Sequence, residues 1–406
     1  MDETKTGRPC DGVAMVVPAD RAAATRRIAG VAAISRVLIE ASRAGVTRAF
    51  VVLDAPGQLA AVVADDLARA GRQLTVDWST PDQIEPAVRT TTSSRVLLLS
   101  TRTLVAAVAL RRLLDQEGEA VLVHEHRPLA AHLGPTDLRL KLDAALEGQG
   151  RQILDAAPQD AIDLSAPSKA SRTILRQTGK TSDGLISRWL NRPVSRAMSG
   201  VLLQVGGVRP WHMTVVTAAT GLAMFAALCF GGARGLVMGG LLFQLASIVD
   251  GVDGEIARAT FRSSVTGAAM DTAVDMMTNL MFVLGVTVGL GRVYGPLYWQ
   301  IGGVDFLIMM TGLAIMTVLV RREPGGTSFD LVKNFYARRY TTGPIARIFV
   351  VLKTLTSRDF FAFAFAVLAA TGLSRAIPWA FAGAASIWLA LVIGAAVVLL
   401  GRSAAR

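Results

Sequence analysis

A group of carboxylates follows directly after a long apolar run in the stretch IVDGVDGEIAR at positions 248–258. The residues before the acids, 235–249, are almost all apolar, whereas Asp250, Asp253 and Glu255 stand within six positions of one another. Charge inside an apolar helix is costly and usually serves a function. The pattern therefore indicates a helix that ends in functional acids, of the kind that bind cations.

The spacing of these acids gives them different directions on a helix. At 100° per residue, Asp250 and Asp253 lie within an arc of about 100° that also holds Gly254 and Ala257, whereas Glu255 points away from it. The small residues would let a flat ring or a pyrophosphate approach the helix backbone. They would equally allow close packing of membrane helices, and both interpretations stay open.

A second helix repeats the pattern a few residues later. Gly267, Asp271 and Asp275 stand at positions i, i+4 and i+8 and therefore form one stripe. Two helices joined by a short turn would bring four aspartates together, and these would repel one another strongly unless cations held them. Ligand sets made only of oxygen favour hard cations such as Mg²⁺, Mn²⁺ or Ca²⁺. The two stripes therefore predict a divalent-cation site.

The second half of the chain carries the apolar runs that must position these acids. The protein has 406 residues, of which 52% are hydrophobic, and a mean hydropathy of +0.44. A run of about 20 apolar residues is enough to span a bilayer. We predict six such runs, approximately at 213–231, 235–257, 265–290, 296–320, 359–374 and 377–401. So many runs favour membrane spans over a large buried helical core.

Basic residues indicate the cytoplasmic side of the membrane. Residues 169–209 contain eight Lys or Arg and one acid, and residues 321–358 contain eight more and two acids. The positive-inside rule then places the N-terminal domain, the loop at 258–264, the segment 321–358 and the C-terminus in the cytoplasm of an integral, multi-pass cell-membrane protein. We interpret the basic segments as contacts for anionic lipid or an anionic substrate, and expect no binding to nucleic acid.

The first part of the chain alternates short apolar runs with amphipathic segments. Runs rich in Val and Leu lie at 12–17, 49–53, 74–78, 95–100 and 120–124. Strands that alternate with helices predict a parallel α/β sheet. We therefore predict an α/β cytoplasmic domain at 1–160, a linker at 161–182 and an all-α membrane domain of six transmembrane helices at 183–406.

The segment at 183–205 is amphipathic and basic and contains Trp189. These features predict an interfacial helix that leads into the first span. An ordinary surface helix of the N-terminal domain is the alternative interpretation.

The complete spacing of the acids is Asp250-x2-Asp253-Gly254-x2-Ala257-Arg258-x8-Gly267-x3-Asp271-x3-Asp275. With every fixed position filled, it resembles the signature of the CDP-alcohol phosphotransferase family of integral membrane enzymes. The resemblance implies six transmembrane helices and usually a homodimer. It also implies transfer of a phospho-alcohol group from a CDP-alcohol to an acceptor hydroxyl, with release of CMP.

The resemblance also implies a role for each residue of the signature. Two Mg²⁺ or Mn²⁺ ions would be held by the aspartates, with Asp275 as an additional general base. The implied metal ligands are Asp250, Asp253, Asp271 and Asp275, and the implied CDP pocket consists of Asp250, Asp253, Gly254, Ala257, Arg258, Gly267 and Thr214.

The entry to the first span departs from the family pattern. Members often carry Pro-Asn-x-x-Thr, and here the run is Pro210-Trp211-His212-Met213-Thr214, which keeps Thr214 and has His212 in place of the Asn. A lone His at the start of a helix is more typical of a cap or an interface residue than of a catalyst.

The N-terminal domain resembles a sugar nucleotidyltransferase at 26–53 and lacks two expected elements. The segment 18–27 has no glycine where a Gly-rich loop is expected, and Ser100-Thr101-Arg102 stands where a metal-binding Asp is expected. We therefore predict a degenerate, non-catalytic domain. The whole arrangement is similar to enzymes that fuse an inositol-phosphate cytidylyltransferase to a di-myo-inositol-phosphate-phosphate synthase, a likeness that includes 181–195.

Other functions stay open on sequence alone. The N-terminal domain could be an active cytidylyltransferase, so that the enzyme is bifunctional. The acids could instead serve a divalent-cation transporter, which needs carboxylates near the bilayer midplane, and Asp305 is the one deep example. The basic segments favour a phosphorylated acceptor such as inositol phosphate, and a lipid acceptor in phospholipid biosynthesis remains an alternative.

Overall fold

A computed structural model describes residues 13–90, 95–134, 151–179, 184–205, 207–322, 332, 335–336 and 357–404. By its internal contacts the chain divides into two compact units. The first unit comprises Met1–Thr178, Leu202–Gly206 and Arg258–Arg262, and the second comprises Gly179–Val201, Gly207–Ala257 and Ser263–Arg406.

The first unit contains strands and helices in alternation. Its strands are β1 (Val13–Pro18), β2 (Arg27–Ile28), β3 (Val31–Ala32), β4 (Arg48–Val52), β5 (Thr75–Ser79), β6 (Arg95–Leu99), β7 (Thr103–Val105), β8 (Ala120–His124), β9 (Arg127–Leu133), β10 (Gln152–Asp155) and β11 (Ala161–Asp163). Its helices are α1 (Arg21–Thr25), α2 (Ala33–Ala44), α3 (Gln58–Arg69), α4 (Pro81–Thr90), α5 (Ala107–Leu114) and α6 (Pro167–Gln177).

A mostly parallel sheet forms the centre of this unit. Seven strands lie in the order β10-β8-β9-β6-β1-β4-β5. Four neighbouring pairs are parallel, and β9 is antiparallel to both β6 and β8. Every residue of β6 from Val96 to Leu99 is at most 2% exposed, as is typical of a strand in a parallel sheet that is covered on both faces.

The five predicted strands are present as β1, β4, β5, β6 and β8, and the predicted parallel α/β sheet is confirmed. The antiparallel β9 was not predicted. It follows β8 after only Glu125 and His126, whose φ angles are +49° and +63°. A two-residue connection can join only antiparallel strands, because a parallel pair needs a crossover of a dozen or more residues. The nucleotidyltransferase-like character of this unit stays a prediction.

The segment that we interpret as a linker, 161–182, contains ordered elements. Its strand β11 pairs with β7 in antiparallel register. Helix α6 buries Ala170, Ile174 and Leu175. The first unit therefore extends to Thr178.

The regular elements among the described residues of the second unit are all helical. Its helices are α7 (Arg192–Leu202, whose last residue is assigned to the first unit), α8 (Pro210–Phe230), α9 (Gly232–Ala259, whose last two residues are assigned to the first unit), α10 (Val265–Tyr294), α11 (Pro296–Arg322), α12 (Arg358–Ala370) and α13 (Ile377–Ala404). A π-helical turn at Ser187–Asn191 precedes α7.

Five helices among the described residues are long and apolar enough to cross a membrane, which makes the chain a membrane protein. They are Pro210–Phe230, Gly232–Ala259, Val265–Tyr294, Pro296–Arg321 and Ser374–Leu399. The predicted run at 359–374 forms α12, which has 13 residues. At 1.5 Å per residue, α12 is about 20 Å long, shorter than a hydrocarbon core of about 30 Å. A sixth crossing and the sides of the termini stay predictions, and most of 321–358 lies outside the described residues.

Small and aromatic residues hold the membrane helices together. Gly221 on α8 faces Thr278 on α10, so closely that a Cβ at 221 would lie 3.1 Å from the threonine Oγ1. Deeper in the bundle, Phe243, Phe282 and Phe365 stack across α9, α10 and α12, with centroid distances of 4.0 and 5.2 Å. Close backbone approach and stacked rings supply the dispersion contacts that drive helix association in lipid.

The segment that contains α7 has its apolar side chains outside and its polar side chains inside. Trp189 is 77% exposed and Val201 64% exposed, whereas Ser195 and Ser199 are fully buried. This arrangement is the reverse of an ordinary surface helix in water. It favours the predicted interfacial helix, and residues 184–201 belong to the second unit rather than to the first.

We predict that acid destabilises the first unit through His132. This side chain in β9 is 2% exposed, and neither ring nitrogen has a hydrogen-bond partner among the described residues. Burial lowers the pKa of His132, Arg95 lowers it further and Glu119 opposes the shift. As the pH falls, His132 therefore binds a proton in the unfolded chain before it does so in the folded chain. The free energy of unfolding is highest above pH about 6.5 and decreases as the pH falls below that value.

Hydrogen exchange of the full-length protein at pH 7.5 and pH 5.5 would measure this effect in peptides from β6, β8 and β9. His132→Leu should remove most of the pH dependence, whereas the matched His126→Asn, at an exposed histidine, should retain it. Equal pH dependence in wild type and His132→Leu would refute the assignment.

Candidate active site

A tight turn places the acids of α9 and α10 at the same end of the two helices. The turn spans residues 260–264 and contains Phe261 at a φ of +56°. Ser264 caps α10, and its hydroxyl accepts a hydrogen bond of 3.0 Å from the backbone N–H of Gly267. This cap starts α10 nearly two turns before Asp271, so its acidic stripe lies beside the acidic end of α9.

Asp253 and Asp271 form one contact between the two helices. Asp253 is 6% exposed and lies within hydrogen-bonding reach of Asp271. The hydroxyl of Thr214 on α8 donates a hydrogen bond of 3.0 Å to Asp253 Oδ2. Thr214 thus orients a predicted metal ligand.

Asp250 and Asp275 form the second contact, through Arg358 at the start of α12. Nη1 of the Arg358 guanidinium lies 3.2 Å from Asp250 Oδ2. The same nitrogen also forms a salt bridge with Asp275 Oδ1. Asp275 further interacts electrostatically with Asp250 and with Asp271. All four predicted aspartates are therefore neighbours, with a cationic side chain among them.

Arg358 is a site residue that the sequence did not single out. It is one of eight basic residues in 321–358, a segment that we interpret as contacts for lipid or an anionic substrate. Its Nε and Nη2 are buried and have no hydrogen-bond partner among the described residues. The side chain also lines an apolar cavity of about 210 Å³ with Phe243, Phe361 and Trp388.

A partly buried polar network fixes the start of α12. Ser357 caps the helix by accepting a hydrogen bond from Phe360 N. Asp359 accepts hydrogen bonds from Ser247 Oγ at 3.0 Å and from Asn191 Nδ2 at 3.4 Å. Gln244 Nε2 in turn donates to Asn191 Oδ1 at 2.7 Å. These bonds connect α9, α12 and the π-helical turn, and they hold Arg358 next to the aspartates.

The other residues of the predicted CDP pocket differ from one another in burial and in the unit to which they belong. Gly254 and Ala257 are half-buried on α9, whereas Gly267 is exposed on α10. Arg258 is assigned to the first unit, where its Nε donates a hydrogen bond of 2.8 Å to the carbonyl of Thr178.

His212 acts as a helix cap. Its Nδ1 accepts a hydrogen bond of 3.2 Å from the backbone N–H of Arg209, the residue before α8. Of the two roles expected for this histidine, a cap or an interface residue, the structure shows the cap.

Within the residues that the structure describes, the side chains are not arranged as a complete coordination shell for a metal ion. No group of three or more His, Cys, Asp or Glu side chains there is arranged to hold an ion. The donor set still fits a hard divalent cation, because four carboxylates lie together and already attract the guanidinium of Arg358.

A second concave site lies in the first unit. A cleft of about 1370 Å³ opens where β1, β4 and β6 end, at Pro18, Val52 and Leu99. Ligands of parallel α/β sheets bind at this edge. The charged and histidine side chains of the cleft come from several elements, and they are Asp20, Arg102, His124, Glu125, Arg127, Asp163 and Lys169.

Comparison with known proteins agrees with the signature. Residues 208–402 match the family model of the CDP-alcohol phosphatidyltransferases. Three curated relatives are each named bifunctional IPC transferase and DIPP synthase. The protein of Thermococcus kodakarensis is 31% identical over 176 residues, which are 43% of this chain and 38% of that protein. The protein of Aquifex aeolicus is 30% identical over 196 residues, 47% and 43% of the two chains.

The third relative, from Archaeoglobus fulgidus, is 35% identical over 116 residues, 28% of this chain and 22% of that protein. The chain therefore spans less than half the length of each of these relatives. The matched residues 208–402 include α8, α9 and α10, on which the four aspartates and Thr214 stand. Residues 208–402 therefore form a domain that matches the CDP-alcohol phosphatidyltransferase family.

Proposed function

We propose that the second unit transfers a phospho-alcohol group from a CDP-alcohol to an acceptor hydroxyl and releases CMP. The observation that carries this proposal is the meeting of Asp250, Asp253, Asp271 and Asp275 across α9 and α10, within the family domain. Neighbouring carboxylates are the ligands that Mg²⁺ and Mn²⁺ prefer. The four side chains would hold two such ions.

Bound divalent cations would neutralise the pyrophosphate of the substrate and the charge that develops on CMP. Thr214 would keep Asp253 in its ligating orientation through the hydrogen bond at 3.0 Å. The small residues Gly254 and Ala257 would leave room for the cytidine diphosphate against α9. Gly267 and Arg258 remain proposed members of the same pocket.

Asp275 would accept the proton of the acceptor hydroxyl as that oxygen attacks the β-phosphorus. Its bond to Arg358 holds the carboxylate in place in the protein alone. Arg358 carries two further buried nitrogens without partners, so its guanidinium could also bind a phosphoryl oxygen. Binding of substrate would then draw Arg358 from Asp275 and free the base.

The acceptor is proposed to be a phosphorylated alcohol such as inositol phosphate, in line with the names of the relatives. The apolar cavity beside Arg358 supports a lipid acceptor as the alternative. A screen of CDP-alcohols against inositol phosphate and against lipid acceptors, with CMP release as the readout, separates the two. The family likeness further supports a homodimer in the cell membrane.

We expect Asp275→Asn to lower kcat for CMP release by about 10²- to 10⁴-fold, the range typical of a lost general base. Asp271→Asn should abolish turnover, because it removes a proposed metal ligand. Initial rates of purified variants in detergent would measure both effects. Asp305→Asn is the matched control, since Asp305 is a buried acid on α11 outside this cluster. Wild-type turnover by Asp275→Asn would exclude Asp275 as the base.

The same variants test the transporter alternative. A divalent-cation transporter would move Mn²⁺ into liposomes without nucleotide and would depend on the deep Asp305. We expect no nucleotide-independent flux from the wild-type protein. Flux that Asp305→Asn abolishes would replace the enzyme proposal.

We expect Arg358→Met to increase the thermal stabilisation that divalent cations give to the protein. The change leaves Asp250 and Asp275 without their cationic partner, so the free protein should unfold at a lower temperature and Mn²⁺ should raise that temperature more than in wild type. A tenfold tighter dissociation constant adds about 1.4 kcal/mol of stabilisation at saturating ion.

Thermal unfolding with and without Mn²⁺ measures this difference. Arg292→Met is the matched control, because Arg292 lies at the opposite end of α10 and bonds the carbonyl of Cys229 at 2.8 Å. An unchanged response to Mn²⁺ in Arg358→Met would separate Arg358 from the proposed metal site.

A second candidate function belongs to the first unit. The cleft of about 1370 Å³ and the word bifunctional in the relatives' names favour cytidylyl transfer there. Against this, the segment 18–27 lacks glycine, and Ser100-Thr101-Arg102 follows β6 in place of a metal-binding acid. Incubation of the full-length protein with CTP and phosphorylated polyols, followed by assay of pyrophosphate, tests it. We expect no pyrophosphate, because we propose that this domain is degenerate.

A further inference from the structure

A fully buried acid on α9 lies outside the proposed metal site. Glu255 occupies a variable position of the signature, between Gly254 and Ala257, and its side chain is 0% exposed. Its Oε1 accepts hydrogen bonds from Arg192 Nη1 at 3.0 Å and from Ser195 Oγ at 2.7 Å. Its Oε2 accepts one from Ser199 Oγ at 2.7 Å. We call Glu255 and these three donors the α7 clamp.

The donors of the α7 clamp form one face of α7. Arg192, Ser195 and Ser199 stand at positions i, i+3 and i+7, which is one stripe of a helix. Arg192 also donates a hydrogen bond of 3.3 Å to the backbone carbonyl of Gly251, one turn before Glu255. A Cβ at position 251 would lie 3.1 Å from Arg192 Nη1. Glycine at this position therefore lets α7 approach the backbone of α9.

The clamp and the proposed catalytic acids occupy opposite sides of α9. At 100° per residue, Glu255 is about 140° from Asp250 and about 160° from Asp253 around the helix axis. A rotation of α9 that loosened the clamp would therefore turn both aspartates away from α10. Hydrogen bonds to a charged group have a defined direction, so three of them restrict such a rotation more than apolar packing does.

We propose that Glu255 is a positioning residue, through which α7 fixes the rotation of α9 and so the placement of Asp250 and Asp253. The inference rests on the proposed function, because placement is measured through catalysis and ion binding. A misplacement of about 1 Å in a reacting group can lower the rate by about 10²-fold. Stability alone does not require the clamp, since apolar side chains of similar size can replace a buried ion pair without loss of stability.

The decisive variant is the double substitution Arg192→Met/Glu255→Met, which removes both charges and keeps the volume. We expect it to unfold at the wild-type temperature, to bind Mn²⁺ at least threefold more weakly by calorimetry and to show a kcat at least tenfold lower. Glu255→Gln keeps the shape of the side chain, replaces one accepting oxygen by a donating NH2 group and should show a smaller loss. Arg188→Met is the matched control, because it removes an exposed cation from the same segment and should change neither quantity.

Wild-type kcat and Mn²⁺ affinity in the double variant would overturn the proposal and reduce the clamp to a structural contact. If the double variant fails to fold, Glu255→Gln decides: normal unfolding with reduced Mn²⁺ affinity supports positioning, and unchanged affinity overturns it. A wild-type protein that releases no CMP from any CDP-alcohol would refute the proposed function instead. The Mn²⁺ affinities would still test the clamp in that case.

Discussion

Buried and half-buried carboxylates on apolar helices govern the architecture of the second unit. A carboxylate that leaves water must regain its lost solvation from nearby donors or cations, because the free-energy cost of an isolated buried charge is many times the stability of a protein. Donors on other helices serve the acids of α9 and α10. Thr214 on α8 serves Asp253, Arg358 at the start of α12 serves Asp250 and Asp275, and α7 serves Glu255.

This constraint explains why polar residues occur at isolated positions in otherwise apolar helices. Helix α8 is apolar over most of its length, yet Thr214 is buried against Asp253. Helix α12 opens with the pair Arg358 and Asp359, of which the first meets the aspartates and the second meets Ser247. In lipid, such contacts select one arrangement of helices, because apolar surfaces alone pack almost equally well in several.

The two faces of α9 have separate proposed roles, catalysis on one face and support on the other. One face carries Asp250 and Asp253, and the opposite face carries Glu255 with its three donors. The exposed apolar face of the segment around α7, which includes Trp189, is what a helix at a lipid interface requires. The element that we predict to lie at the membrane surface thus contacts the helix that carries the proposed site.

The sequence by itself determined the local features of this protein. The signature and its spacing depend only on positions within α9 and α10, and the five predicted strands depend only on short runs of Val and Leu, so both could be predicted. The apolar runs likewise predicted the membrane helices, although one of the six forms only the short α12. Local periodicity sets each of these features, because it needs no information about distant residues.

Tertiary structure alone decided which distant side chains complete the site. Arg358 is 83 positions from Asp275, and Arg192 is 63 positions from Glu255. Neither pairing has a signal in the sequence, because one arginine among eight in a basic segment looks like any other. The antiparallel β9 was missed for a related reason, since its direction follows from a turn geometry at Glu125 and His126. Spacing along one helix fixes which acids share a face, and only the packing of helices fixes which charge each acid meets.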